Sequence, residues 1–180
     1  LQYPVLSRLV TMDDVVVIVG HGTEIRDLRG KCRELHVIDP LSPAMFRTLL
    51  IDASVQYGPE DLVIHSGKQD TAILRTADVI LISASALIDG SFEDLMQYTE
   101  NARLVGLFGL AGSLIPDAFF DQGVDFILSF RITDPWGFID TMTNDYDVDY
   151  AFRMGQKKYL QMNPKTSSGR SIGQNICTSI

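Results

Sequence analysis

The stretch Asp14 to Gly22, Asp-Val-Val-Val-Ile-Val-Gly-His-Gly, restricts the fold more than any other part of the chain. Val15 to Val19 are all β-branched, and the run is too short and too uniformly apolar for a surface helix. It predicts a strand buried on both faces, which is the mark of a parallel sheet. Gly20 and Gly22 let the backbone turn tightly at its end. Thr23 and Glu24 then open a helix whose free N–H groups suit an anion.

The same pattern recurs along the chain. Leu35 to Ile38, Leu62 to His65, Asp78 to Ser83, Arg103 to Phe108 and Val124 to Phe130 read as further strands. Between them, Ile25 and Leu28 outline a short helix ending at Gly30. A second helix runs from Ser42 to Ile51, with Ser42 as N-cap and Pro43 in its first position. Thr71 to Thr76 forms a helical turn, and Ala84 to Ser91 is a small-residue loop. Phe92 to Tyr98 is a helix with Ser91 as N-cap, and Pro116 to Gln122 is one stopped by Gly123. Asp134 and Pro135 start a helix reaching about Met142, which Trp136 is expected to anchor on the core. Strand followed by helix, repeated, predicts an α/β fold: a Rossmann-like three-layer sandwich with a mostly parallel sheet of five to six strands.

Residues 1–12 read as a lead-in segment, a weak helix or a packed extended arm, and residues 13–144 as the Rossmann-like domain. In residues 145–180 the expectation is a last helix over Phe152 to Leu160. The stretch Asn163 to Gln174 then reads as a tail that is mobile or docks on a partner.

A length of 180 residues suffices for one substantial core. With 15 Lys and Arg against 23 Asp and Glu, a net charge of -8 leaves no basic stripe for nucleic acid. No apolar run is long enough to span a bilayer and no secretory leader pattern opens the sequence, so a cytoplasmic protein with no membrane partner is expected. Cys32 and Cys177 lie far apart and suggest neither a disulfide framework nor a zinc knuckle. Cys32 reads as a core residue.

Ligands of such sheets bind outside the carboxyl ends of the strands, where the strand order reverses. The loops gathered there supply the candidates Gly20, His21, Gly22, Asp39, Ser83, Ser85, Asp89, Gly109 and Ser113. Asp39 lies about twenty positions beyond the glycine turn, where dinucleotide-binding folds hold a ribose hydroxyl. The turn itself is half of G-x-G-x-x-G, because Ile25 stands in the third position. Phosphate binding and a purely structural turn both remain open there. Ser85 and Ser113 can donate to a phosphate or carboxylate, or cap helices. His21 is the candidate metal ligand, although His21, His36, His65, Cys32 and Asp39 show neither i, i+4 nor C-x-x-C spacing. His36, in mid-strand, reads as a satisfied core or face residue. No G-x-S-x-G elbow is present, which disfavours a serine hydrolase.

Three stretches together resemble the heavy-metal-chelation family of Rossmann-like domains. They are Val17 to His21, the block Ala77 to Ser91 (Ala-Asp-Val-Ile-Leu-Ile-Ser-Ala-Ser-Ala-Leu-Ile-Asp-Gly-Ser), and Gly109 to Ser113 followed by Gly123-Val124-Asp125. The middle block is the most specific, with Asp89 and Ser91 standing where the family typically has Asn and Thr. Leu110 and Ala111 depart from the family's Gly-Pro-Ser. The resemblance implies a Rossmann-like fold and an association with metal. It also implies a small companion domain, similar to an enolase amino-terminal domain, for which this sequence has no room. The chain is then a single-domain relative, or the companion lies outside it.

Two functions follow as expectations. One is a ligand-binding module holding a metal ion, or a small anionic or metal-bound metabolite, in a homodimer. The other is an enzyme with a nucleotide-like cofactor, a methyltransferase using S-adenosylmethionine or an NAD-dependent enzyme, with Asp39 on the ribose.

Overall fold

The apolar run at Val15–Val19 is strand β1 in a computed structural model that describes residues 6–22, 24–39, 62–66, 71–109, 115–144 and 156–167. Val16, Val17 and Ile18 are fully buried, as a strand covered on both faces requires. Glu34–Asp39 (β2), Leu62–Ser66 (β3), Val79–Ser83 (β4), Leu104–Phe108 (β5), Phe126–Ile132 (β6) and Gln156–Met162 (β7) complete a seven-stranded sheet in the order β3-β2-β1-β4-β5-β6-β7. The first six strands are parallel neighbours and β7 runs antiparallel to β6. The order reverses between β1 and β4, so the carboxyl ends of these two strands flank the switch point.

The alternation of side chains along each strand separates two cores. Val16, Ile18, Leu35, Val37, Leu81, Phe108 and Phe126 face one layer, with Ile25 and Leu28 of the short helix α1 (Glu24–Leu28). Leu6, Leu9 and Val10 join that layer from a 3-10 turn at Leu6–Arg8, so the described part of the lead-in packs on the sheet. Val17, Ile38, Ile80, Ile82, Val105 and Leu107 face the other layer. It is covered by a 3-10 helix at Thr71–Thr76, by α2 (Ser85–Ile88), α3 (Phe92–Met96) and α4 (Pro116–Phe120).

Several expectations are corrected. The sheet has seven strands, not five to six, because the segment read as a helix over Phe152 to Leu160 contains β7 from Gln156 onward. Leu160 and Met162, two residues apart, pack against the first core, and that period of two is a strand's. Ala84 to Ser91 is not all loop, since α2 forms within it. Ser91 precedes α3 but makes no capping bond; its hydroxyl donates to Asp89 Oδ1 at 2.6 Å instead. Trp136, in the first turn of α5 (Pro135–Asn144), is 80% exposed and does not anchor the helix. Asp134 does cap it, accepting from the Gly137 N–H at 3.0 Å. The helix expected over Ser42 to Ile51 and the segments 145–155 and 168–180 lie outside the described residues.

The stretch after β7, read as a tail, begins on a firm anchor. Asn163 is buried, and its Nδ2 donates to the carbonyls of Phe120 at 3.3 Å and Val124 at 3.0 Å. Its backbone N–H donates to Asp125 O at 2.7 Å, and its Oδ1 accepts from Lys165 N at the start of α6 (Pro164–Ser167). Asn163→Ala strips two buried carbonyls of a donor and is expected to cost about 2 kcal/mol in urea unfolding. A change below about 0.5 kcal/mol would show that the anchor contributes little.

No helix among the described residues is long and apolar enough to cross a membrane.

Candidate functional site

The carboxyl end of β1 leads directly into Gly20, whose N–H donates to Ile38 O at 2.8 Å and whose φ is +96°. A Cβ built there would lie 2.6 Å from Ser83 Cβ, at the end of β4. The two strand ends at the switch point therefore touch through a glycine that has both a conformational and a steric reason to be there. Gly20→Ala is expected to lower stability by about 2–4 kcal/mol, combining left-handed strain with the clash. Adding Ser83→Gly should restore only the steric share, as a double-mutant cycle of melting curves would reveal.

Ser83 Oγ accepts from Ser85 N at 3.3 Å and lies 2.9 Å from Ser85 Oγ, so the two hydroxyls form one polar knot. Ala84 N donates to Phe108 O at 2.7 Å, which joins the third strand end to the other two. Gly109, with φ +123°, comes so near that a Cβ would lie 3.3 Å from Ala84 Cβ. The ends of β1, β4 and β5 thus make one continuous wall from Gly20 through Ser83 and Ser85 to Gly109.

Asp39 is buried at the end of β2, where Ile38 is paired with Val19 of β1. His21 is exposed on the turn. Asp89 is exposed beyond α2 and accepts from Ser91 N at 3.0 Å as well as from its hydroxyl, a tie between α2 and α3. Ser113 lies outside the described residues. Of the nine candidates the structure joins Gly20, Ser83 and Ser85 by contact and puts Gly109 beside them through Ala84.

Glu24 was missed by sequence reasoning as a member of this group. It is 1% exposed, and its carboxylate is folded back onto Gly22: a Cβ added to Gly22 would collide with Oε2 and lie 2.8 Å from Phe108 Cε2. An acidic residue in a first helical turn is ordinary, because it complements the backbone dipole. Here it places a carboxylate on the turn that the sequence suggested for an anion. With α1 only five residues long, the backbone offers little positive potential to compensate. Among the described residues no three His, Cys, Asp or Glu side chains group as metal ligands.

Comparison with known proteins agrees with this architecture. The chain is similar to a protein of unknown function from Pyrococcus horikoshii, with 19% identity and a TM-score of 0.63 over 87% of this chain and 58% of that one. It is similar too to one from Desulfitobacterium hafniense DCB-2, with 20% identity and a TM-score of 0.61 over 84% of this chain and 54% of that one. Both are described as DUF364 proteins, and this chain spans little more than half the length of either. No curated protein matches it. The DUF364 family model matches residues 6–161, nearly all of the sheet, and the chain belongs to that family, described as "Putative heavy-metal chelation".

Proposed function

We propose that the crevice at the carboxyl ends of β1, β2, β4 and β5 receives a metal ion or a metal-bound small metabolite. The observation that carries this reading is the buried Glu24 carboxylate lying on Gly22, which places carboxylate oxygens, the donors a metal ion takes, at the glycine turn. Asp39 adds a second buried carboxylate at the next strand end, His21 supplies an exposed imidazole, and the family description points the same way. The paired hydroxyls of Ser83 and Ser85 suit the oxygen atoms of a metabolite that carries the metal.

A thermal-shift panel tests it. Saturating Ni²⁺, Co²⁺ or Zn²⁺ is expected to raise the melting temperature by about 5 °C or more, as ligand at about a hundred times its Kd would. Glu24→Gln and His21→Ala should each reduce that shift. The second reading is an enzyme using S-adenosylmethionine or NAD, favoured by the strand order and by Asp39 at the end of β2. Stabilisation by either nucleotide, abolished by Asp39→Ala, would replace the metal reading with that one.

A homodimer belongs to the same reading. Its support is the exposure of Trp136 and Ile139 on α5, at 80% and 54%. The organisation of residues 13–144 into one Rossmann-like domain is part of the same proposal.

A further inference from the structure

The sequence contains three histidines, and two of them, 29 residues apart, meet on the face of the sheet opposite α1. His36 of β2 and His65 of β3 lie on neighbouring parallel strands, with His36 opposite Val63 and Ile38 opposite His65. His36 Nδ1 and His65 Nε2 are 3.1 Å apart and share a hydrogen bond, with ring centroids 5.4 Å apart. On the far side of the same ring, His36 Nε2 is 3.2 Å from Glu34 Oε2. His36 is 7% exposed, yet the neighbouring inward positions of this layer are aliphatic, Val17 and Ile38 among them. Both His36 nitrogens are hydrogen-bonded, so the buried ring is satisfied, but packing alone does not call for an imidazole pair here.

We infer that His36 and His65 form a binding site for a divalent transition-metal ion, separate from the strand-end crevice. Glu34 accepts the proton on His36 Nε2, which leaves the Nδ1 lone pair directed at His65. A carboxylate behind a histidine is the usual second partner of a metal-ligating imidazole. Two imidazole nitrogens on a tetrahedral ion at ordinary bond lengths are about 3.3 Å apart. The observed 3.1 Å spans a hydrogen bond in which the two nitrogens face each other along one line, so the ion replaces that bond when the half-buried His65 ring turns and brings its Nε2 to the side of the His36 Nδ1 axis. In the metal-free pair one proton lies between the rings. On binding it leaves His65 Nε2, His65 takes a proton at Nδ1 from water, and two neutral imidazoles face the ion with no net proton released. Two protein ligands leave the remaining positions to water or to the donors of a small chelating molecule. Imidazole ligation suits Cu²⁺, Ni²⁺ and Zn²⁺, with Cu²⁺ the tightest.

The test is Cu²⁺ titration of the whole chain, followed by electron paramagnetic resonance and, for Zn²⁺, by calorimetry. The expected result is nitrogen hyperfine structure from two equivalent ligands, with one copper per chain at this site. His65→Gln should weaken binding at least about tenfold and erase the two-nitrogen pattern, and Glu34→Gln should weaken it about tenfold without unfolding the chain. His21→Ala should leave the pattern intact, which separates this site from the crevice whether or not the crevice itself takes metal. A two-nitrogen signal that survives His65→Gln and His36→Gln in folded protein, or no copper binding at all, would overturn the inference.

Discussion

Gly106→Ala is expected to destabilise the fold by about 3 kcal/mol or more. Gly106 lies in the middle of β5, paired with Leu81 on one side and Phe126 on the other. The ring of Phe126 lies over the Gly106 backbone: an added Cβ would collide with Cζ and lie 2.7 Å from Cε1. Phe126 is itself fully buried, with the first core around it, so the ring has nowhere to go. The melting temperature should fall by roughly 6–12 °C for a domain of this size. Phe126→Leu in the same chain should recover part of the loss, although alone it leaves a cavity and costs stability. A loss below about 1 kcal/mol would mean that the ring and β5 separate more easily than their burial indicates.

Asp14→Asn is the second large effect, expected at about 2–3 kcal/mol at neutral pH. Asp14 is buried at the foot of β1 and ties three segments together. Its Oδ1 accepts from Arg103 Nε at 3.0 Å, and Arg103 Nη2 reaches both its Oδ2 and Leu9 O. Its Oδ2 also accepts from Thr11 N at 2.6 Å. Burial alone would raise the carboxyl's pKa, but the Arg103 guanidinium and the Thr11 N–H outweigh it and hold the carboxyl below its ordinary value. A folded-state value below the unfolded one contributes stability that is fully present above the ordinary carboxyl range. That stability is lost as pH falls through the lowered value. The gap between wild type and Asp14→Asn should therefore be constant above about pH 5 and close as the pH falls below about 4. Urea midpoints measured across that range decide it. A gap that stays the same down to about pH 2 would show that the charge on Asp14 is not what stabilises.

The core strands were legible because their apolar runs are continuous. Val15–Val19 was read with its bounds, and β4 and β5 within one residue. What stayed hidden depends on contacts between distant segments. β7 shows few apolar residues of its own, and only its pairing with β6 gives Leu160 and Met162 an inward direction. Trp136 misled because size predicts burial only on average, and a position in the first turn of α5 faces outward here. At the site, the glycines and serines of the strand ends were visible as residues, whereas their contact through Gly20 and Ser83 requires the order β1-β4. Glu24 was legible as a helix opener but not as a carboxylate folded onto Gly22. The meeting of His36 with His65 depends on the register of β2 and β3, which no spacing in the sequence encodes.

The antiparallel pairing of β7 has a consequence for how the protein is made. During synthesis, β1 to β6 emerge in the order in which they occur, but β6 must wait for Gln156 to Met162 before its outer edge is paired. Until then Phe126–Ile132, Phe-Ile-Leu-Ser-Phe-Arg-Ile, presents an unpaired edge rich in strand-forming residues. A nascent chain paused before Gln156, or a proteolytic product ending there, carries a ready template for pairing with another molecule. Strand β7 is thus a safeguard of the polypeptide's solubility while it folds, and that safeguard arrives only once residues 156–162 have been made.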